Sequence, residues 1–162
     1  MHIVLFEPEI PPNTGNVARL CAAMRVSLHL IEPLGFRLES KYLKRAGLDY
    51  WPNVDLTVWP DFAAYLDGPG KSARIIASSS RKGDAVHHFH FTGEDALLLG
   101  PETRGLPENI LAKAQHLVRI PVSDKVRSIN LSTAAGILLF QALSSCGALD
   151  NPVYYPDEQD TQ

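Results

Sequence analysis

Three polar clusters in this 162-residue chain carry side chains that could bind and act on a small ligand. The densest lies in the stretch Pro121 to Asn130, which sets Ser123, Asp124, Lys125, Arg127, Ser128 and Asn130 within eight residues. It leads into a helix that is apolar on nearly every face from Ala134 through Leu143. A buried helix is a wall for a ligand, and the backbone N–H groups at its start are ready donors. The second cluster is LLLGPETRGLP, 97–107. Gly100 lets backbone approach a ligand closely, Pro101 stiffens the turn, Glu102 and Arg104 supply charge, and Gly105 permits a second bend. A plain strand–turn–helix joint needs one glycine and a cap; two glycines and two prolines favour a ligand loop. The third is NTGNVAR, 13–19, where Asn16 and Arg19 stand three apart on one helical face. On spacing alone it reads as an N-capped amphipathic helix with a solvated arginine.

Other chemistries lack their residues. No G-x-G-x-x-G follows the first apolar run, so a standard dinucleotide site is unsupported. Gly100 to Gly105 is followed by Leu106-Pro107, not Lys-Ser/Thr, so it is no phosphate loop. No G-x-S-x-G occurs, against a hydrolase nucleophile elbow. His88 and His90 would share a face of a strand, but only Asp84 stands near them at metal spacing. Zinc sites need three or four placed ligands, so no metal is expected, and a hydrated edge strand accounts for the histidines.

The elements that must position these clusters alternate. Apolar runs predict strands at 2–6, 27–31, 56–59, 74–78, 96–99 and 117–121, with an extended piece at 86–91. Between them the predicted helices carry Val17, Leu20, Cys21 and Met24 on one face after a loop at 7–16, then span 40–46, 62–66 and 107–115. This order argues an α/β fold with a mostly parallel sheet. Ligands of such sheets sit beyond the carboxyl ends of the strands, which singles out the loops 7–16, 78–83, 100–106 and 121–130. One domain over 1–150 is expected, followed by a polar, flexible tail over 151–162.

Fifteen Lys and Arg against 18 Asp and Glu give a net charge of −3, which taken alone argues against a general nucleic-acid binder. Local basic clusters remain: Lys41, Lys44 and Arg45; Arg81 and Lys82; Lys125 and Arg127. No apolar run is long enough to span a membrane. The opening MHIVLFEPEIPP reads as a first strand, not a signal peptide. Cys21 and Cys146 read as reduced core thiols of a cytoplasmic protein.

The motifs NTGNVAR at 13–19, LLLGPETRGLP at 97–107 and IPVSDKVRSINLSTA at 120–134 resemble, in order, those of the SPOUT RNA 2′-O-methyltransferases. EPEIPPNTGN, RAGLDYW and GPETRGLP bring the chain close to the YibK-like tRNA wobble-nucleotide methyltransferases, over about residues 3 to 143. The resemblance implies an α/β knot, with a C-terminal deep trefoil, and a homodimer. It implies S-adenosylmethionine held around Ser78, Gly100, Glu102, Ile120 and Ser128, with S-adenosylhomocysteine as the product. It further implies that Arg19 of the other protomer completes the site. The implied substrate is the ribose 2′-hydroxyl of the wobble nucleotide, cytidine or modified uridine, in the anticodon stem-loop of leucine tRNAs.

Catalytic roles would then fall to Arg19, Ser128 and Asn130, and substrate contacts to Asn16, Arg19, Glu102, Arg104, Lys125 and Arg127. The step is an in-line displacement at a sulfonium methyl, so positioning carries much of the barrier reduction. Arg19 suits orientation and charge stabilisation, because guanidinium hardly deprotonates. Glu102 either holds the loop or faces the nucleoside. Phe140 is read as core or dimer packing. The rivals are 2′-O-methylation at another tRNA or rRNA position, and a non-catalytic RNA-binding module.

Overall fold

The computed structural model describes residues 1–38 and 51–155. These residues form seven strands: β1 (His2–Phe6), β2 (Ser27–Ile31), β3 (Leu56–Trp59), β4 (Arg74–Ser78), β5 (Asp84–Ala85), β6 (Asp95–Leu99) and β7 (His116–Arg119). They make one sheet in the order β3-β2-β1-β6-β4-β7-β5, and every recorded pairing is parallel. Among the described residues four helices accompany it: α1 (Pro11–Ala23), α2 (Phe62–Asp67), α3 (Glu108–Leu111) and α4 (Leu131–Ser145).

Central strands of such a sheet are buried on both faces, which is why they read as unbroken apolar runs rather than alternating ones. The two-residue side-chain period divides them between two cores. Ile3, Leu5, Ile76, Leu97 and Leu99 join Val17, Cys21, Leu138 and Leu139 on the face covered by α1 and α4. Val4, Phe6, Ile75, Ala77, Ala96 and Leu98 join Phe62, Tyr65 and Ile110 on the other. Burial pushes the Cys21 thiol up to about 12, so it packs as an inert apolar group.

Four sequence expectations are corrected. α1 starts at Pro11, with Ile10 as its N-cap, not after Asn13 and Thr14. The two prolines fit the first turn, where N–H groups have no helical partner, and the capping acceptor comes from far along the chain, as shown below. The extended piece expected at 86–91 instead opens with a 3-10 turn at Val86–His88, and the short strand β5 lies just before it. His88 and His90 therefore do not share a strand face. The helix expected over 107–115 is only the single turn of α3, with Pro107 as N-cap. β7 ends at Arg119, short of Pro121. The helix expected at 40–46 lies outside the described residues. So does most of the tail, although the Tyr154 hydroxyl donates to Met24 O at 2.8 Å.

At the amino ends of the strands, Asp95 is fully buried and takes both ends of the Arg74 fork, at 2.7 and 2.8 Å. Thr92 adds a backbone and a hydroxyl donor, each at 2.9 Å. Burial alone would raise the Asp95 pKa; the Arg74 and Thr92 hydrogen bonds outweigh it and hold it below the usual carboxylate value.

A second polar cluster titrates higher. His2 Nε2 lies 2.7 Å from the Tyr65 hydroxyl, and Trp59 Nε1 donates to His29 Nδ1 at 3.0 Å. Burial, then the neighbouring His29 and the chain's amino terminus, push the His2 pKa down from 6.5 to about 4. Burial also lowers that of His29, against the pull of Asp55. Below its ordinary pKa the unfolded chain binds protons that the folded chain refuses, so stability falls as pH drops from about 6.5 towards 4. Thermal melts across that window should show a falling midpoint, and His2→Asn should flatten the fall. A midpoint independent of pH there would contradict a neutral pair of half-buried His2 and buried His29.

Candidate functional site

The strand order reverses at β1 and β6: β2 and β3 extend from one side, β4, β7 and β5 from the other. Loops after β1, β6, β4 and β7 thus meet above the carboxyl edge, where such sheets bind ligands. A cleft of about 710 Å³ opens there. Its floor and walls are apolar, with Leu99, Leu106, Ile120, Leu131 and Ala134. Its polar lining includes Ser78, Ser79, Asn13, Glu102, Arg127 and Ser128.

Of the residues singled out from the sequence, Ser78, Gly100, Glu102, Arg104, Ile120, Arg127, Ser128 and Asn130 all line this cleft. Asn16, Arg19 and Lys125 do not. Arg19 instead lines a separate groove with Cys21, Arg25, Ser27, Asn53 and Asp55. Asn16 and Arg19 are both on the exposed side of α1.

Glu102 holds the loop. Its Oε2 accepts from Glu9 N at 2.9 Å, and its Oε1 accepts from Ile10 N at 3.3 Å and Asn13 Nδ2 at 3.0 Å. A carboxylate thereby sits at the positive amino end of α1 and satisfies N–H groups that the helix cannot. Asn13 passes the connection on, because its Oδ1 accepts from Asn130 Nδ2 at 2.8 Å. Asn130 in turn caps α4, its Oδ1 accepting from Ser132 N at 2.9 Å and Thr133 N at 3.3 Å. The chain Glu102–Asn13–Asn130 ties the loops after β6, β1 and β7 together. Both carboxamides are committed to this scaffold, so the cleft's shape is their product.

The next two residues of the same loop are fastened as well. Glu9 accepts from Thr103 N at 2.9 Å and Thr103 Oγ1 at 2.8 Å. The hydroxyl bond, then the backbone bond, lower the Glu9 pKa. Arg104 pairs with Glu7. Asn13, Glu9 and Thr103 give little local signal as site residues, because their partners stand 89 to 117 positions away. The one local hint is the pair of acids between a strand end and two prolines.

Asn13 is buried at 5% exposure. Asn13→Ala removes the buried carboxamide that joins half-buried Glu102 to exposed Asn130, a loss of about 1 kcal/mol. The midpoint of chemical denaturation should fall accordingly, and ligand affinity at the cleft should weaken with it. Unchanged values of both would show that the three loops hold their places independently.

Residues 1–140 match the family model described as SpoU rRNA Methylase family. A tRNA (cytidine(34)-2′-O)-methyltransferase from Yersinia pestis is 45% identical over 153 residues, covering 91% of this chain and 94% of its own. A solved structure described as giving insights into the 2-OH methylation of C/U34 on tRNA is 49% identical. It superposes with a TM-score of 0.85, covering 89% of this chain and 94% of that one. The SpoU methyltransferase AviRb from Streptomyces viridochromogenes, solved in complex with the cofactor AdoMet, shares the fold at a TM-score of 0.81. It is 21% identical and covers 89% of this chain and 57% of its own.

Proposed function

The chain belongs to the SpoU rRNA methylase family, and on that premise we propose that it is a tRNA (cytidine(34)-2′-O)-methyltransferase. One observation carries this reading: a relative named for that activity is 45% identical to it and is matched along 94% of its own length.

The cleft suits S-adenosylmethionine. Leu99, Leu106, Ile120 and Leu131 offer apolar walls to an adenine, and Ser78, Ser128 and the strand-end backbone offer hydrogen bonds to its polar edges. When bound, the cofactor supplies an electrophilic methyl group on a sulfonium. Everything else is the work of the chain. Glu102, Asn13 and Asn130 fix the loops, and Ser128 orients the ribose or the cofactor. Arg19 aligns the 2′-hydroxyl and a neighbouring phosphate with its planar fork and stabilises the oxygen as negative charge develops.

Because Arg19 does not line the cleft of its own chain, it serves that of a second copy. The same proposal therefore includes a homodimer. Ile137 and Phe140 support it, at 42% and 58% exposure on α4, a helix otherwise packed on α1 and the sheet. Packing in the single chain's core does not account for Phe140; a subunit interface does. The deep trefoil knot, with the 121–130 segment bending the cofactor, is part of the proposal. So are Asn16, Lys125 and Arg127 as RNA contacts, and a cytoplasmic site of action. No helix among the described residues is long and apolar enough to cross a membrane.

The test is transfer of labelled methyl from S-adenosylmethionine to total tRNA by the purified protein. Label in tRNA is expected, with a dimer by sedimentation at micromolar concentration. Label in ribosomal RNA alone would contradict the substrate, and an active monomer would contradict the shared site.

A further inference from the structure

The loop after β4, residues 79–83, is held as firmly as the loops described above, yet the scheme so far uses only Ser78 at its root. Ser79 N donates to Val118 O at 2.9 Å. The Ser79 hydroxyl accepts from Arg81 N at 3.3 Å and Lys82 N at 3.1 Å, folding the loop over it. At the exit Gly83 has φ +98°, and a Cβ there would lie 2.2 Å from Leu117 O. Arg119 Nε donates to Gly83 O at 3.3 Å. Both ends of the loop are thus anchored to β7, and Arg81 rises from a fixed base at the rim of the cleft.

The charges around that rim are mostly committed. Lys82 Nζ pairs with Glu108 at 3.0 Å. Arg104 pairs with Glu7, and Glu102 is occupied by the amino end of α1. Arg81 and Arg127 line the cleft, are exposed, and form no ion pair among the described residues. They rise from the loops after β4 and β7, which are adjacent strands. Two available guanidinium groups on neighbouring loops form a local cationic edge on a chain of net charge −3. Such an edge can grip a polyanion that the whole molecule would repel.

Resting on the functional reading above, we infer that Arg81 binds a backbone phosphate of the RNA substrate beside Arg127. It is a positioning residue that sets the ribose over the cleft without touching the reacting atoms. The planar fork matches a phosphodiester's two free oxygens. A second anion, the cofactor's own carboxylate, could meet the same group, and the test separates the two.

Initial rates with tRNA should be compared for wild type, Arg81→Ala and Arg81→Lys over a range of salt, with cofactor affinity measured by calorimetry. Arg81→Ala should raise the tRNA KM by about tenfold, with kcat and cofactor Kd unchanged. Its dependence of log KM on log salt should be shallower by about one phosphate contact. Arg81→Lys should restore the salt slope and part of the KM, because it returns the charge without the fork. An Arg81→Ala enzyme with wild-type KM and salt slope overturns the inference, as does one whose main defect is cofactor affinity. The wild type reports on the other reading: if it transfers no methyl to tRNA, the proposed function fails.

Discussion

Arg19→Ala is expected to lower the turnover of methyl transfer by about 100- to 1000-fold, the loss usual when one preorganised donor to a developing oxyanion is removed. Cofactor affinity should stay at the wild-type value. Arg19 lies on the exposed side of α1 and does not line the cleft of its own chain, so truncating it leaves every wall of the cofactor site in place. Arg19→Lys should recover little, since a point charge does not reproduce the planar fork. Calorimetry with S-adenosylmethionine, beside single-turnover rates, separates the two effects. Weakened cofactor binding in Arg19→Ala would contradict the assigned role.

Gly100→Ala should act in the opposite way, raising the cofactor Kd by at least about 100-fold, or about 2.8 kcal/mol. A Cβ at residue 100 would lie 2.5 Å from Leu106 N and 2.8 Å from Gly105 C. These are backbone atoms of a turn that cannot swing aside as a side chain would. The turn must shift, and with it the contacts of Glu102, Thr103 and Arg104 to residues 7–13. Overpacking of this kind also costs about 1–3 kcal/mol in stability. Gly105→Ala is the matched control: its φ is +70°, but a Cβ there meets nothing within 4 Å. It should lose stability while keeping most of its cofactor affinity. Equal affinities in the two variants would mean that the close approach at Gly100 does not shape the cleft. Mixing Gly100→Ala with Arg19→Ala chains offers a joint test. If the site is shared between protomers, mixed dimers regain turnover that neither variant has alone.

Much of this site was legible because its strands are buried on both faces. Unbroken runs such as HIVLF and ALLL mark parallel strands, and the rule of the carboxyl edge then selects the right loops. Ser78, Gly100, Ile120, Arg127 and Ser128 do line one cleft. What local patterns missed is what long-range bonds decide. Asn13 and Thr14 have the chemistry of a helix cap, yet α1 begins at Pro11, because the acceptor at its start is Glu102. The same contact makes Glu102, read as either holding the loop or facing the nucleoside, a residue that holds the loop. The extended piece expected at 86–91 fails for a different reason. Val86 and Phe91 are buried as the pattern suggests, but Val86 opens a 3-10 turn and no strand ladder continues through 86–91. The α4 sequence is apolar all round, and one chain alone covers only part of it, leaving Ile137 and Phe140 outside. Sequence periodicity cannot distinguish a helix buried by its own chain from one buried by a second copy.

Nucleoside mapping of tRNA after incubation with the enzyme and isotopically labelled S-adenosylmethionine tests the central claim most directly. The label should reside in a 2′-O-methylated ribose at the wobble nucleotide, resistant to alkaline cleavage on its 3′ side, and at no other position. Label on a base, on a ribose elsewhere in the tRNA, or none at all would contradict it.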